Sequence, residues 1–249
     1  MAHAVLYVCH GSRLREAREE AVSFINECKP HIDADIQEIC FLELASPSIE
    51  EGFDECVKKG AERISVVPLL LLTAAHSKKD IPDVLKACKA KHPSISINYG
   101  KPIGVHEKMV DSVINRIDEC REMDPSTIAV LIGRGSSDPE VKRDLAMIAE
   151  IVQKKTGLKY VWICFLTAAP PSFQDTLKKA KHTGKKVVFI PYLLFTGLLM
   201  KGIEKDMNDE NTRLLLGGYL GKDSMVAEAF IDRVKETMKG GEHIASSYG

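Results

Sequence analysis

The sequence predicts an α/β protein of two similar flavodoxin-like domains, each a parallel sheet with helices on both faces, related by internal duplication. The first observation is the alternation of short apolar runs with amphipathic segments, which is typical of parallel sheets covered by helices. The second is a repeat, since residues 5–12 match residues 128–136. The third is the length of 249 residues, which suits two domains of roughly 125 residues each.

The match between apolar residues of the two halves extends beyond the first strand of the repeat. The other matched pairs are 41–48 with 165–172 and 66–73 with 189–196. We therefore predict a first domain over residues 1–122 and a degenerate copy of it over residues 123–249, joined by a linker at 123–126. Whether the last helix of each half packs on its own half or on the other stays open.

Strands and helices are predicted in alternation through the first half. Short runs rich in apolar and β-branched residues predict buried parallel strands, at 5–9, 36–44, 64–72 and 94–99. Apolar residues at three- and four-residue spacing predict helices, at 14–28, 48–59, 80–90 (or starting at Ser77) and 107–121. Pro30 ends the first helix and Gly60 lies just past the second, as helix-ending residues do.

The second half repeats this order. Its predicted strands lie at 127–132, 159–166, 186–195 and 213–216. Its predicted helices lie at 138–155, 172–181, 198–208 and 223–239. The small, polar tail at 240–249 is expected to fray.

Charge and cysteine usage restrict the class of protein. Lys and Arg number 34 against 35 Asp and Glu, which gives no support for a nucleic-acid or membrane-surface partner. The seven cysteines form no C-x-x-C pair and the sequence opens directly into a strand, so we expect reduced thiols in a cytoplasmic protein. The longest apolar run, 66–75, is shorter than the roughly 20 residues of a membrane helix.

Three polar residues of the first half stand where predicted strands end. His10 follows the first strand, Glu43 ends the second and His76 lies beyond the third. Ligands bind at the carboxyl ends of parallel strands, and neighbouring strands are about 4.8 Å apart, so a central first strand would bring these side chains together. The matching positions of the second half hold Arg134, Thr167 and Leu199. Apolar residues that match in both halves indicate a shared fold, whereas polar residues present in one half only indicate a functional site.

The chemistry of this set suits a divalent metal ion. Two imidazoles and a carboxylate are ligands of first-row metals, and three protein ligands with an open position suit a reactive site. The same groups accept protons near neutral pH. Taken singly, His10 also fits a loop residue, and Glu43 and His76 fit capping groups. The replacement of all three in the second half favours the functional interpretation.

Other residues at this edge have ordinary explanations as well. The Gly-Ser pairs at 11–12 and 135–136 fit tight strand-to-helix turns, although their N–H groups also suit an anion. Arg13 and Arg134 fit either surface charges or partners of carboxylates. Adjacent strand residues point to opposite faces, so we predict that Cys9 lies in the core and forms no thiol–imidazole pair.

Three sequence blocks resemble the signature of the class II tetrapyrrole chelatases. They are V-C-H-G-S-R at 8–13, F-L-E-L-A-S-P at 41–47 and P-L-L-L-L-T-A-A-H-S-K-K-D-I-P at 68–82. The chain resembles the sirohydrochlorin chelatase group in its long, two-domain form, and the resemblance covers nearly the whole chain. It implies ATP-independent insertion of Fe²⁺ into sirohydrochlorin, which gives sirohaem and releases two protons.

The resemblance also implies roles for residues. His10 and His76 would bind the metal and take up the pyrrole protons, and Glu43 would assist at the same site as a third ligand. The divalent ion is a substrate, and no organic cofactor is implied. The second half would be an inactive fused partner that closes the substrate cleft, so a monomer is expected. Predicted partners of the substrate's carboxylates are Ser12, Arg13, Arg134 and Ser136.

Rival functions stay open at this point. Insertion of cobalt or nickel, on a cobalamin-type route for cobalt, needs the same ligands. A metal- or tetrapyrrole-binding module that delivers its ligand without turnover fits the duplication equally well. A phosphohistidine-type phosphatase is disfavoured, because its chemistry needs an arginine just before the histidine and Cys9 stands there.

Overall fold

The structure is a computed structural model that describes residues 2–120, 125–208, 213–240 and 242–243. The chain forms two compact units. One comprises Met1–Gly104 with Ala227–Gly249, and the other comprises Val105–Val226. Within the described residues, no helix is long and apolar enough to cross a membrane.

Strands and helices alternate along the chain, as predicted. The strands are β1 (His3–Cys9), β2 (Ile36–Phe41), β3 (Arg63–Leu69), β4 (Ser96–Tyr99), β5 (Ile128–Gly133), β6 (Tyr160–Phe165), β7 (Val187–Pro191), β8 (Leu214–Leu216) and β9 (Glu242–His243). The helices are α1 (Arg15–Cys28), α2 (Ile49–Lys58), α3 (Ile81–Lys91), α4 (Glu107–Glu119), α5 (Pro139–Thr156), α6 (Phe173–Lys181), α7 (Leu198–Met207) and α8 (Ser224–Gly240). A π-helical turn occupies His76–Asp80, directly before α3.

Each unit is built on a parallel sheet in which the first strand of the repeat is central. The first sheet has the order β2-β1-β3-β4, with β9 antiparallel to β4 at its edge. The second sheet has the order β6-β5-β7-β8 and is parallel throughout. The predicted pair of similar parallel α/β sheets is therefore confirmed. Because β1 lies between β2 and β3, the loops that follow these three strands share one edge of the sheet.

Helices cover both faces of the first sheet. On one face, Leu6 packs in a cluster with Phe53 of α2. On the other face, the ring of Tyr7 lies 6.1 Å from that of Phe230 in α8, which lies 5.8 Å from that of Phe24 in α1. Side chains alternate between the faces of a strand, so neighbouring residues of β1 belong to different layers. Each fully buried side chain of this kind contributes roughly 1.5–3 kcal/mol to stability.

The second unit is covered in the same way. On one face, Val130 of β5 packs with Phe173 of α6 and Ile203 of α7. On the other, α4 contacts both α5 and β7. Lys155 of α5 adds an ion pair with Asp111 of α4 at 2.8 Å. The helix that ends the first half of the sequence therefore packs within the second unit.

The compact units differ from the predicted ranges 1–122 and 123–249 in their last helices. α4 belongs to the second unit, and α8 belongs to the first. In the first unit, the guanidinium of Arg233 in α8 donates two hydrogen bonds, of 2.9 and 2.8 Å, to the carbonyl of Ile103. Helix packing, and not the sequence repeat, sets the limits of the units. The predicted linker at 123–126 lies partly outside the described residues.

Three strands end three or four residues earlier than predicted, and two residues of the predicted tail form a strand. β2 ends at Phe41, β3 at Leu69 and β7 at Pro191, so the apolar residues beyond them belong to loops. After β2 the chain turns sharply at Leu44, whose φ of 61° is incompatible with a strand. In the tail, Glu242–His243 pairs with β4, whereas residues 241 and 244–249 lie outside the described residues.

Helix ends follow local sequence signals. Ser48 and Glu51 form a capping box at the start of α2, each side chain accepting the backbone N–H of the other, which satisfies two otherwise unpaired donors. Asp138 caps α5, and Gly157 ends it in the left-handed conformation with φ 71°, as glycine does at helix ends. These signals explain why the predicted limits of α2 and α5 agree closely with the observed ones.

His3 is held neutral at the amino end of β1. Arg63 Nη2 lies 2.9 Å from His3 Nδ1, and because a guanidinium only donates, Nδ1 accepts. Nε2 then carries the hydrogen and donates to Ser65 Oγ at 2.9 Å. Burial, followed by the charge of Arg63, lowers the pKa of His3 below 6.5, and Asp35 opposes this only in part.

The neutral state of His3 predicts a pH dependence of stability. The unfolded chain binds a proton at His3 more readily than the folded protein, so the free energy of unfolding rises with pH. The contribution is complete above about pH 6.5 and is lost as the pH falls toward the lower folded pKa. We expect urea midpoints measured at about pH 8 and about pH 5.5 to differ less in His3→Gln than in the wild type. Exposed His31→Gln should keep the wild-type difference, and an unchanged difference in His3→Gln would refute the assignment.

Candidate metal centre

The loops after β1 and β2 continue the pairing of these strands. The Leu42 N–H donates to the carbonyl of Cys9 at 2.8 Å, and the Glu43 N–H donates to the carbonyl of His10 at 3.2 Å. These two bonds hold His10 and Glu43 next to each other, although the residues are far apart in sequence.

Gly11 permits this close approach of two backbone segments. Its φ is +94°, and a β-carbon at this position would overlap the carbonyl oxygen of Glu43 and lie 2.9 Å from its carbon. Glycine adopts such a conformation without steric cost. The residue directly after His10 is therefore required by the geometry of the loop.

His76 opens the π-helical turn that leads into α3. The next residue, Ser77, anchors this turn, because its hydroxyl donates to the carbonyl of Ala74 at 2.8 Å and its carbonyl accepts from the Tyr99 hydroxyl at 2.9 Å. Ser77 is buried, whereas the His76 side chain is 32% exposed. Nδ1 of His76 lies 2.7 Å from Oδ2 of Asp80.

His10, Glu43 and His76 converge, as the sequence predicts. Each offers a possible ligand atom, and these atoms all lie within 4.8 Å of one another. The two imidazole rings are nearly perpendicular, with centroids 4.9 Å apart, and Nδ1 of His10 is 3.6 Å from Oε1 of Glu43. The side chains of His10 and Glu43 are 27% and 45% exposed, so the cluster is accessible from solvent.

This donor set fits a first-row divalent ion. Imidazole nitrogens and carboxylate oxygens bind such ions at about 2.0–2.2 Å, so two ligands of one ion lie at most about 4.4 Å apart. The observed limit of 4.8 Å between the possible ligand atoms is close to this value. Small side-chain movements would bring these atoms to the distances that one ion requires. Three protein ligands leave further coordination positions for a substrate.

The second repeat keeps the backbone frame and lacks the ligands. The Thr167 N–H donates to the carbonyl of Arg134 at 3.0 Å, which matches the bond between Glu43 and His10. Gly135 also has a φ of +94°, and a β-carbon there would overlap the carbonyl oxygen of Thr167. The Thr167 hydroxyl donates to the carbonyl of Arg134 at 3.1 Å. This loop conformation is therefore part of the fold that both repeats share.

The four predicted substrate-binding residues lie in equivalent loops. Ser12 and Arg13 follow His10, and Arg134 and Ser136 occupy the matching loop of the second unit. Each of the two serine hydroxyls accepts the backbone N–H of the residue two positions later, so both have a turn-forming role. Both arginines are exposed. Contact with substrate carboxylates stays a prediction for all four.

The sequence did not predict that the Asp80 carboxylate contacts the cluster. Sequence alone gives Asp80 only as a possible helix start and does not reveal its contact with His76. The available signal is their spacing of four residues, which places side chains on one face of a helix.

Cys9, next to His10 in the sequence, is buried as predicted. Burial raises the pKa of its thiol to about 12, so its thiolate takes no part at neutral pH.

Comparison with known proteins places this geometry in a family. A family model described as CbiX matches residues 4–120 and matches again at residues 129–237. The chain belongs to the CbiX family. The two matches correspond to the two repeats, so the internal duplication of this CbiX-family chain is confirmed.

Relatives of this CbiX-family chain share almost its whole length. A sirohydrochlorin ferrochelatase from Priestia megaterium is 46% identical and aligns over 98% of this chain and 95% of its own. A sirohydrochlorin cobaltochelatase from the same organism is 37% identical, over 95% of this chain and 80% of its own. The solved structure of SirB from Bacillus subtilis with Fe³⁺ has a TM-score of 0.88 at 46% identity, over 95% of this chain and 96% of that one.

Proposed function

We propose that this protein inserts Fe²⁺ into sirohydrochlorin without ATP, giving sirohaem and releasing two protons. The observation that carries the proposal is the His10/Glu43/His76 cluster, found in a chain 46% identical to a sirohydrochlorin ferrochelatase. The similarity supports the choice of substrate, and the cluster supports the chemistry. The metal ion is itself a substrate, and the proposed reaction requires no organic cofactor.

The proposed mechanism assigns two tasks to the cluster. The ion must be presented to the macrocycle, and the two pyrrole N–H protons must leave as it enters. Imidazole nitrogens bind metals and accept protons near neutral pH, so His10 and His76 present the ion and take up the protons. Glu43 lies 3.6 Å from Nδ1 of His10, where its carboxylate stabilises the charge that His10 gains with a proton. The partial exposure of the cluster suits access by a large, flat ligand.

This chemistry belongs to the first repeat. At the matching positions the second repeat holds Arg134, Thr167 and Leu199, which offer neither an imidazole nor a carboxylate. We assign to this repeat a role in binding the substrate, with Arg134 and Ser136 as partners of its carboxylates. Action as a cytoplasmic monomer stays a prediction.

A second candidate is the insertion of Co²⁺ into the same macrocycle. The observation that favours it is the 37% identity to a sirohydrochlorin cobaltochelatase. Two imidazoles and a carboxylate do not distinguish Fe²⁺ from Co²⁺ or Ni²⁺, because affinities of divalent ions follow the metal more than the site. The higher identity to the ferrochelatase favours iron.

Anaerobic absorbance measures the proposed reaction directly. We expect sirohydrochlorin mixed with Fe²⁺ to change to the spectrum of its metal complex faster with the protein than without it. Repeating the measurement with Co²⁺ and Ni²⁺ ranks the metals, and a higher rate for Co²⁺ at equal concentration would favour the second candidate.

The same measurement tests a binding module without turnover. Such a protein would bind sirohydrochlorin or the ion, but metallation would not exceed the protein-free rate. That result would overturn the proposed function and make the cluster a storage or delivery site.

A further inference from the structure

The π-helical turn before α3 has no counterpart in α7. In the first repeat the turn is closed by a bond from the Ile81 N–H to the carbonyl of His76, and the buried residues there are Ser77 and Ile81, four positions apart. In the second repeat α7 begins at Leu198 in α-helical geometry, and its buried residues are Met200 and Ile203, three positions apart. The first repeat therefore accommodates one more residue between its two core anchors. Such π-turns occur frequently at functional sites.

Asp80 ends this turn and lies against His76, four residues before it. Oδ2 of Asp80 lies 2.7 Å from Nδ1 of His76, which is a short, charge-assisted hydrogen bond. A carboxylate accepts hydrogen bonds and does not donate them, so Nδ1 of His76 carries a hydrogen. In the neutral ring, Nε2 then presents its lone pair.

Two observations separate Asp80 from an ordinary structural acid. Asp80 stands at the N-cap of α3, yet its side chain makes no capping hydrogen bond there. The possible metal-binding group comprises His10, Glu43 and His76, without Asp80. The side chain of Asp80 therefore contacts His76 from outside this group.

The second repeat lacks this group together with the histidine. Leu199 stands at the place of His76, and the residues three and four positions further are Gly202 and Ile203. Whichever of these is compared with Asp80, no carboxylate is present at that place. The carboxylate is thus found in the repeat that has the imidazole and is missing from the repeat that has lost it.

We propose that Asp80 is a positioning residue that fixes the ring orientation and the Nδ1–H tautomer of His76, so that Nε2 faces the metal. A ligating histidine commonly donates its other ring N–H to a carboxylate, which orients the ring and raises its basicity. The proposal rests on the proposed function, since it concerns the same cluster. It adds a residue outside the ligand set and specifies which nitrogen of His76 binds.

The tautomer of His76 can be measured in the full-length, metal-free protein. Long-range ¹H–¹⁵N correlation spectra distinguish Nδ1–H from Nε2–H, and His76→Gln assigns the signals. We expect the wild type to show the Nδ1–H form and Asp80→Ala to lose it. Asp80→Asn keeps an oxygen acceptor and should retain the Nδ1–H form. An Nδ1–H tautomer in Asp80→Ala would overturn the proposal.

Metal affinity provides the second measurement. We expect Asp80→Ala to weaken Co²⁺ binding, followed by the visible spectrum of the ion, about 10- to 100-fold, with substantial recovery in Asp80→Asn. The matched control is Asp83→Ala, which removes an exposed acid of α3 that pairs with Lys86 at 3.0 Å and should leave affinity and tautomer unchanged. Equally weakened Co²⁺ binding in Asp83→Ala would mean that the loss of any nearby negative charge lowers the affinity, and it would overturn the proposal. The tautomer measurement needs no metal or macrocycle, so its result stands apart from that of the metallation assay.

Discussion

Replacing His10 by alanine is expected to reduce Fe²⁺ insertion into sirohydrochlorin to the protein-free rate. The substitution removes one of two imidazoles in the cluster and, with it, both a metal ligand and a proton acceptor. Loss of a positioned general base alone typically costs about 10²- to 10⁴-fold in rate, and loss of a ligand lowers the occupancy by the ion as well. The measurement is the initial rate of the anaerobic absorbance change.

The control for this variant is His182→Ala. His182 is an exposed histidine at the end of α6, where its ring contacts the carbonyl of Lys178 at 2.8 Å, and its loss should leave the rate within about twofold. His10 lies in a loop beyond β1 and its side chain is partly exposed, so we expect a folded variant with wild-type stability in urea. A folded His10→Ala protein with an undiminished rate would remove His10 from the mechanism.

Much of the fold was predictable because local signals and burial agree. The apolar run of β1 predicts a buried strand, and Ser48 with Glu51 marks the start of α2 as a capping box. The packing of α4 and α8 was not predictable, because an amphipathic helix at the end of a repeat fits the exposed face of either sheet. The π-turn at His76–Asp80 escaped prediction as well, since the residues themselves are compatible with an ordinary helix start.

The composition of the cluster was predictable, whereas its detailed geometry was not. His10, Glu43 and His76 follow strands that topology makes neighbours, so their convergence follows from general rules of parallel sheets. The strands end before Glu43 and His76, and tight loops position these side chains. The contact of Asp80 with His76 is compatible with their spacing of four residues, but spacing alone does not show that these two side chains pair.

Replacing Gly11 by alanine is expected to destabilise the first unit strongly and to disrupt the cluster. The added β-carbon would overlap the carbonyl oxygen of Glu43 at a φ of +94°, so both the conformation and the contact are unfavourable. Because the overlapped oxygen belongs to the backbone, no side-chain rotation relieves the overlap. We expect a loss of about 3 kcal/mol in the free energy of unfolding, measured with urea, and at least about tenfold weaker Co²⁺ binding, because Glu43 must move away from His10.

Gly135→Ala separates these two effects, because the second repeat contains the same turn without the ligands. A β-carbon there would overlap the carbonyl oxygen of Thr167 at the same φ of +94°, so a similar loss of stability is expected. Co²⁺ affinity should nevertheless stay at the wild-type level, since the ligands lie in the first repeat. Equal weakening of Co²⁺ binding in both variants would mean that the affinity reports general destabilisation. Weaker binding in Gly11→Ala alone would tie the left-handed glycine to the spacing between His10 and Glu43.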